Sequence, residues 1–192
     1  MDERYVFRKS FFEKPTEYQI GKDGIVLKNQ NVLDKMILFS RIKSIRFEYL
    51  PNNRYDLSNR YACTIETLNN QKYQILSTTY VSLANFQSQA ETYIPFVKSL
   101  YKTVRKEQPN CIFYVGQSKS KYYGTIIFSV LMFVMAYFIL AFLSLGGATV
   151  LFKFVLIGFY GIYLFKSIIR NRPKIIEDGQ EIMESVLPDV EP

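Results

Sequence analysis

The stretch YYGTIIFSVLMFVMAYFILAFLSLGGATVLF, Tyr122 to Phe152, governs how the rest of the chain is read, because its 31 residues contain no charge. A run of that length is too long for a buried helix in a 192-residue protein and reads as membrane. Thr125–Leu145 is almost wholly apolar and, at about 1.5 Å per residue, reaches about 30 Å, one hydrocarbon thickness. Gly146-Gly147 interrupts the pattern, and a second apolar stretch runs from Ala148 to Ile169 with Lys153 inside it. Two spans joined by so short a loop must be antiparallel, and backbone in lipid must satisfy itself within helices. The expectation is a two-helix transmembrane hairpin over 122–169, with spans at about 124–145 and about 148–169.

The flanking charges set an expected orientation. Lys119 and Lys121 precede the first stretch, Lys166, Arg170, Arg172 and Lys174 close the second, and the glycine turn carries none. The positive-inside rule then places both termini in the cytoplasm of a multi-pass protein of the inner or plasma membrane. Met1-Asp2-Glu3-Arg4 opens no signal-peptide pattern but leads into a charged, aromatic stretch. Cys63 and Cys111 are expected as reduced thiols on that side.

Upstream, residues 1–121 carry a net charge of +8 and a different periodicity. From Thr16 the apolar positions recur every second residue, the mark of strands with one buried face. Tyr18 and Ile20 lead into Gly21-Lys22-Asp23-Gly24, a turn, and then Ile25-Val26-Leu27. Ile45, Phe47 and Tyr49 alternate with Arg46 and Glu48; Tyr61, Cys63, Ile65 and Thr67 alternate with Ala62, Thr64 and Glu66. Asn69-Asn70 marks a hairpin before Tyr73 and Ile75. Five or six such strands predict an antiparallel meander. The period then changes: Phe86, Ala90, Tyr93, Val97, Leu100 and Val104 form one apolar stripe, predicting an amphipathic helix over about 86–106, disturbed at Pro95. Cys111–Val115 predicts a last strand, and 170–192 a tail that turns from basic to acidic. The expected fold class is α+β: a small antiparallel barrel or meander over 1–121 capped by one helix, followed by the hairpin.

The segments Tyr18–Leu27, Phe39–Ile45, the Asn69-Asn70 hairpin and Tyr93–Leu100 resemble bacterial pleckstrin-homology-like domains. With the apolar hairpin, Asn171-Arg172-Pro173 and Leu187-Pro188, the arrangement is similar to an uncharacterised family of bacterial membrane proteins. The resemblance implies a small barrel closed by a helix and brings no catalytic residue set.

Composition narrows the chemistry. There is no His, which removes the commonest general base and metal ligand. The two Cys are too far apart for a CxxC motif, phosphate-loop glycine patterns are absent, and no carboxylate pair is placed for acid–base work. No catalytic, cofactor or metal residues are assigned and no enzyme is expected. Arg41, Lys43 and Arg46 are the densest basic group and the candidate contact for anionic lipid headgroups; the alternative is a solvated strand edge. Lys153, an intramembrane charge on the hairpin reading, either snorkels to the headgroups or serves transport. A pI near 9.3 invites nucleic acid, but no recognised binding motif accompanies it, and none is expected. The acidic tail either docks on the basic domain or is solvated. The expected function is a non-catalytic interaction module held at the bilayer, taking a protein segment, such as a membrane-protein partner, or anionic lipid. The alternative is a small oligomeric transport or channel component built from the hairpin and Lys153.

Overall fold

The computed structural model describes residues 4–29, 32–50, 60–82, 85–142, 158, 161–162, 165, 168–169, 171–176 and 187–188. Two compact units emerge, one formed by Met1–Gly116 with Lys174–Pro192 and the other by Gln117–Pro173.

In the first unit, β1 (Arg4–Phe7), β2 (Thr16–Ile20), β3 (Gly24–Asn29) and β4 (Val32–Leu38) form an antiparallel sheet in chain order. The alternation read from the sequence has a direct counterpart here. Tyr5 faces Tyr18 and Ile25 faces Ile37, all buried. The turn between β2 and β3 closes through a Gly21 N–H to Gly24 carbonyl bond of 2.8 Å. Gly24 is required by crowding: a Cβ there would lie 2.3 Å from the Ile37 carbonyl oxygen.

After a single 3-10 turn at Phe39–Arg41 come β5 (Ile42–Leu50), β6 (Arg60–Thr67) and β7 (Lys72–Leu76). Ile45↔Ile65, Phe47↔Cys63 and Tyr49↔Tyr61 form one face of this second sheet. Asn70, with φ 59°, makes the β6–β7 hairpin; Asn tolerates the left-handed region better than most residues. Two short strands, β8 (Thr78–Ser82) and β9 (Asn85–Ser88), then form a hairpin of their own.

Helix α1 (Ala90–Glu107) follows, with Tyr93, Phe96, Val97, Leu100, Tyr101 and Val104 buried and Pro95 accommodated within it. The predicted helix began at Phe86, but Phe86 belongs to β9, opposite Tyr80. An apolar residue in register with a helical stripe carries no information about whether the backbone there is already helical. The helix packs its aromatic face on the first sheet: Tyr5 meets Tyr93 at 5.7 Å and Phe96 at 5.5 Å between ring centroids. On the second sheet Tyr101 meets Phe47 at 6.4 Å and Phe113 at 4.7 Å. One apolar core thus runs through both sheets and the helix.

The last strand of the domain departs from a meander. β10 (Ile112–Val115) lies parallel to β5, Phe113 beside Ile45 and Val115 beside Phe47. Parallel neighbours require a long crossover, and here the chain returns through β6–β9 and α1. β11 (Lys174–Ile175) then adds to the outer edge of β10, giving the order β11-β10-β5-β6-β7.

In the second unit, α2 (Lys119–Phe142) covers much of the first apolar stretch and leaves Ile127, Phe128, Val130 and Leu131 exposed. Among the described residues no helix is long and apolar enough to cross a membrane. The expected fold class is corrected accordingly: the described residues are mainly β-sheet, and no transmembrane helical hairpin is seen among them. The multi-pass localisation with both termini cytoplasmic, and the description as an integral membrane protein, fall with it. Absence of charge, on which that expectation rested, excludes a polar helix but does not by itself supply a helix that spans a bilayer. The predicted second stretch, 148–169, contributes only positions 158, 161–162, 165 and 168–169, all helical, and otherwise lies outside the described residues, Lys153 included.

Candidate functional site

The basic group singled out from the sequence is spread by the strand it lies on. Arg41 ends the 3-10 turn, exposed, and its carbonyl accepts from the Leu68 N–H at 2.9 Å. Lys43 is the residue at which the β5–β6 register shifts, and its ammonium lies 3.6 Å from Glu66. Arg46 is largely buried. Its guanidinium lies 3.7 Å from the Glu48 carboxylate, donates to the Gly116 carbonyl at 3.3 Å and stacks 4.5 Å from the Tyr114 ring centroid. It ties β5 to β10, so its first task is to hold the second sheet together.

Neither thiol is poised for chemistry. Cys63 and Cys111 are free and buried. Burial pushes the Cys63 thiol far up. It pushes Cys111 up to about 12, against a smaller lowering from a backbone hydrogen bond at Ile45. A neutral buried thiol is a poor nucleophile and a poor metal ligand. No group of three or more His, Cys, Asp or Glu side chains suited to a metal ion occurs among the described residues.

The most distinctive surface lies elsewhere, in the β1–β2 loop, Arg8-Lys9-Ser10-Phe11-Phe12-Glu13-Lys14-Pro15. Phe11 is 64% exposed and Phe12 94%, and the two rings meet edge to face at 5.5 Å. Bare aromatic rings are costly in water, so a conformation that holds them outward needs a cause. Arg8 supplies it. Its backbone is fixed by β8, accepting from the Tyr80 N–H at 2.8 Å and donating to Thr79 Oγ1 at 2.9 Å. Its side chain then gathers the loop: Nε donates to the carbonyls of Ser10 at 3.1 Å and Glu13 at 2.8 Å, and Nη2 to Phe11 at 2.6 Å. The same guanidinium lies 5.9 Å from the Phe11 ring and 5.3 Å from Tyr80. The series continues through Tyr80 to Phe86 at 5.5 Å, and Arg60 covers Phe86 at 3.8 Å. Val81, 50% exposed, adjoins it in β8. Two cations thus interleave with four rings along one corner built from the β1–β2 loop, β8, β9 and the start of β6, with two phenylalanines at its tip.

Sequence reasoning passed over this corner. The available signal was two adjacent Phe inside a charged octapeptide, where alternation had not begun. Its meaning depended on β8 and β9, which periodicity did not reveal.

A second feature is the β10 edge. Lys174 pairs with Val115 and Ile175 with Tyr114, and the Ile176 N–H donates to the Phe113 carbonyl at 2.9 Å. Ile176 and Leu187 are buried in the domain core. Among the described tail residues the buried side chains at Ile176 and Leu187 are apolar; the acidic residues, from Glu177 onward, lie outside the described residues.

No protein-family model, no curated protein and no solved structure matches the chain.

Proposed function

We propose that the β-rich unit is a non-catalytic interaction module of the pleckstrin-homology-like kind, and that it grips a protein partner through the Arg8–Pro15 corner. One observation carries this reading: Phe11 and Phe12 stand bare on a loop whose shape is already fixed by the Arg8 side chain. Aromatic side chains and arginines dominate the energetics of protein interfaces, and anchors ordered before binding avoid part of the entropy of association. Two sheets sharing a core with one amphipathic helix support the domain type, and the lack of His in the sequence supports the non-catalytic reading.

The test is site-specific photocrosslinking in cells, with a benzophenone side chain at position 12 and a control at the exposed turn residue Leu68. A discrete protein adduct from position 12, absent from position 68 and lost in Phe11→Ser, is the expected result. Adducts only to lipid would transfer the corner to anionic headgroups, the chemistry that Lys9 and Lys14 would also serve. Identical adduct patterns from both positions would remove the corner as a site.

A further inference from the structure

We propose that the outer edge of β10 is an acceptor for an extended polypeptide segment, and that the C-terminal tail is its occupant in cis, leaving when a competing segment of similar pattern arrives. This uses residues other than the Phe11–Phe12 corner and does not depend on it.

The geometry is strand addition. An edge strand offers a row of unpaired N–H and C=O groups, and any extended segment can use them. Here the taker is Lys174–Ile176, antiparallel to β10, with apolar side chains inserted into the core at Ile176 and, after an interval, at Leu187. Main-chain bonds to Phe113 and Val115 accept any sequence. The two inserted side chains give selectivity for a segment carrying an aliphatic residue just past the pairing and another further along.

The hold is small. Among the described residues the pairing covers two positions and the Ile176–Phe113 bond, and the Ile175 side chain is 60% exposed, so it contributes little burial. At its other end β10 extends to Ile112, 43% exposed, one residue before the Phe113 carbonyl that Ile176 bonds. A segment pairing along the whole of β10 could therefore match the described contacts of the tail and add to them. The rest of the sheet does not depend on the tail, because β10 is held on its inner side by β5 and by Arg46. The partner this edge fits is an extended segment of another polypeptide, not a folded surface.

The experiment uses the full chain and a fluorescein-labelled peptide of its own residues 171–188 as the probe. The Tyr114/Ile175 pair is a suitable place for a lock. These residues face each other across the β10–β11 ladder, and the flanking Ile176–Phe113 bond marks Tyr114/Ile175 as the non-hydrogen-bonded pair, whose Cα spacing of about 4.5 Å accepts a disulfide. In Tyr114→Cys/Ile175→Cys, the peptide should bind the reduced protein and bind the oxidised protein at least ten-fold more weakly, as read by anisotropy. Ile176→Asp, which unseats the tail, should bind at least ten-fold more tightly than the unaltered chain. Equal binding to the reduced and oxidised forms, or none to the reduced form at millimolar protein, overturns the proposal. So does an Ile176→Asp protein that has lost hydrogen-exchange protection of the β5 and β6 amides, since the tail would then be part of the core rather than a removable occupant.

Discussion

Replacing Arg8 by Met should loosen the β1–β2 loop while leaving the β1 strand in place. The side chain makes three hydrogen bonds to carbonyls of its own loop, at Ser10, Phe11 and Glu13, and lies over the Phe11 and Tyr80 rings. A well-shielded bond from a charged donor contributes about 1.5–3 kcal/mol. Two of these three are exposed, and water replaces them readily, so about 0.5 kcal/mol each is the appropriate scale. Exposed cation–π contact adds about 0.5 kcal/mol. The total, about 2 kcal/mol, corresponds to a change of about 30-fold in loop opening, since each 1.4 kcal/mol is about ten-fold. Global stability should change far less, because the Arg8 backbone bonds to Thr79 and Tyr80 do not involve the side chain. Millisecond-resolved hydrogen exchange reads this directly. The Glu13 amide, bonded to the Ser10 carbonyl at 3.3 Å, should exchange about 10–30-fold faster in the variant, with the β1 amides unchanged. Partner capture through position 12 should weaken by the fraction of ordered loop lost, a smaller factor than the change in exchange while the closed loop stays the major form. An unchanged Glu13 rate would show that the backbone alone holds the loop, and the case for Arg8 as its organiser would end.

Three further outcomes follow from the core. Gly24→Ala should destabilise the first unit by about 1–3 kcal/mol in chemical denaturation, because the new Cβ would meet the Ile37 carbonyl oxygen, a backbone atom that cannot swing away. Tyr5→Phe should cost about 1 kcal/mol by the same assay, losing the buried 2.6 Å bond from the Tyr5 hydroxyl to the Leu76 carbonyl while keeping the ring stacking. Both thiols should resist a thiol reagent at pH 8 until the protein is denatured. The Cys111 contribution to stability should be complete below its ordinary value of 9.0 and decline as pH rises from there toward about 12, since the folded state holds the proton more tightly than the unfolded chain. Rapid native labelling of Cys111, or stability flat across that range, would contradict its burial.

The sequence by itself determined much of the β architecture. Alternation at Ile45, Phe47 and Tyr49 against Tyr61, Cys63 and Ile65 reports which face of a strand is buried, and that information is local. The stripe Tyr93, Val97, Leu100 and Val104 reports a helix face for the same reason. What pairs with what is not local. Phe86 fits a helical stripe and a strand equally well, and only its place opposite Tyr80 selected the strand. The parallel pairing of β10 with β5, and the addition of Lys174–Ile175 beside it, join residues about 60–70 positions apart, a separation no periodicity encodes. The uncharged stretch from Tyr122 fixed a composition, not a spanning hairpin, and that expectation was overturned. Arg46 gave up its role as a surface charge once Glu48, Gly116 and Tyr114 were brought around it. Arg8 acquired one because three carbonyls of its own loop and two rings converge on it. A side chain's task depends on which groups stand within a few ångströms, and chain folding alone decides that.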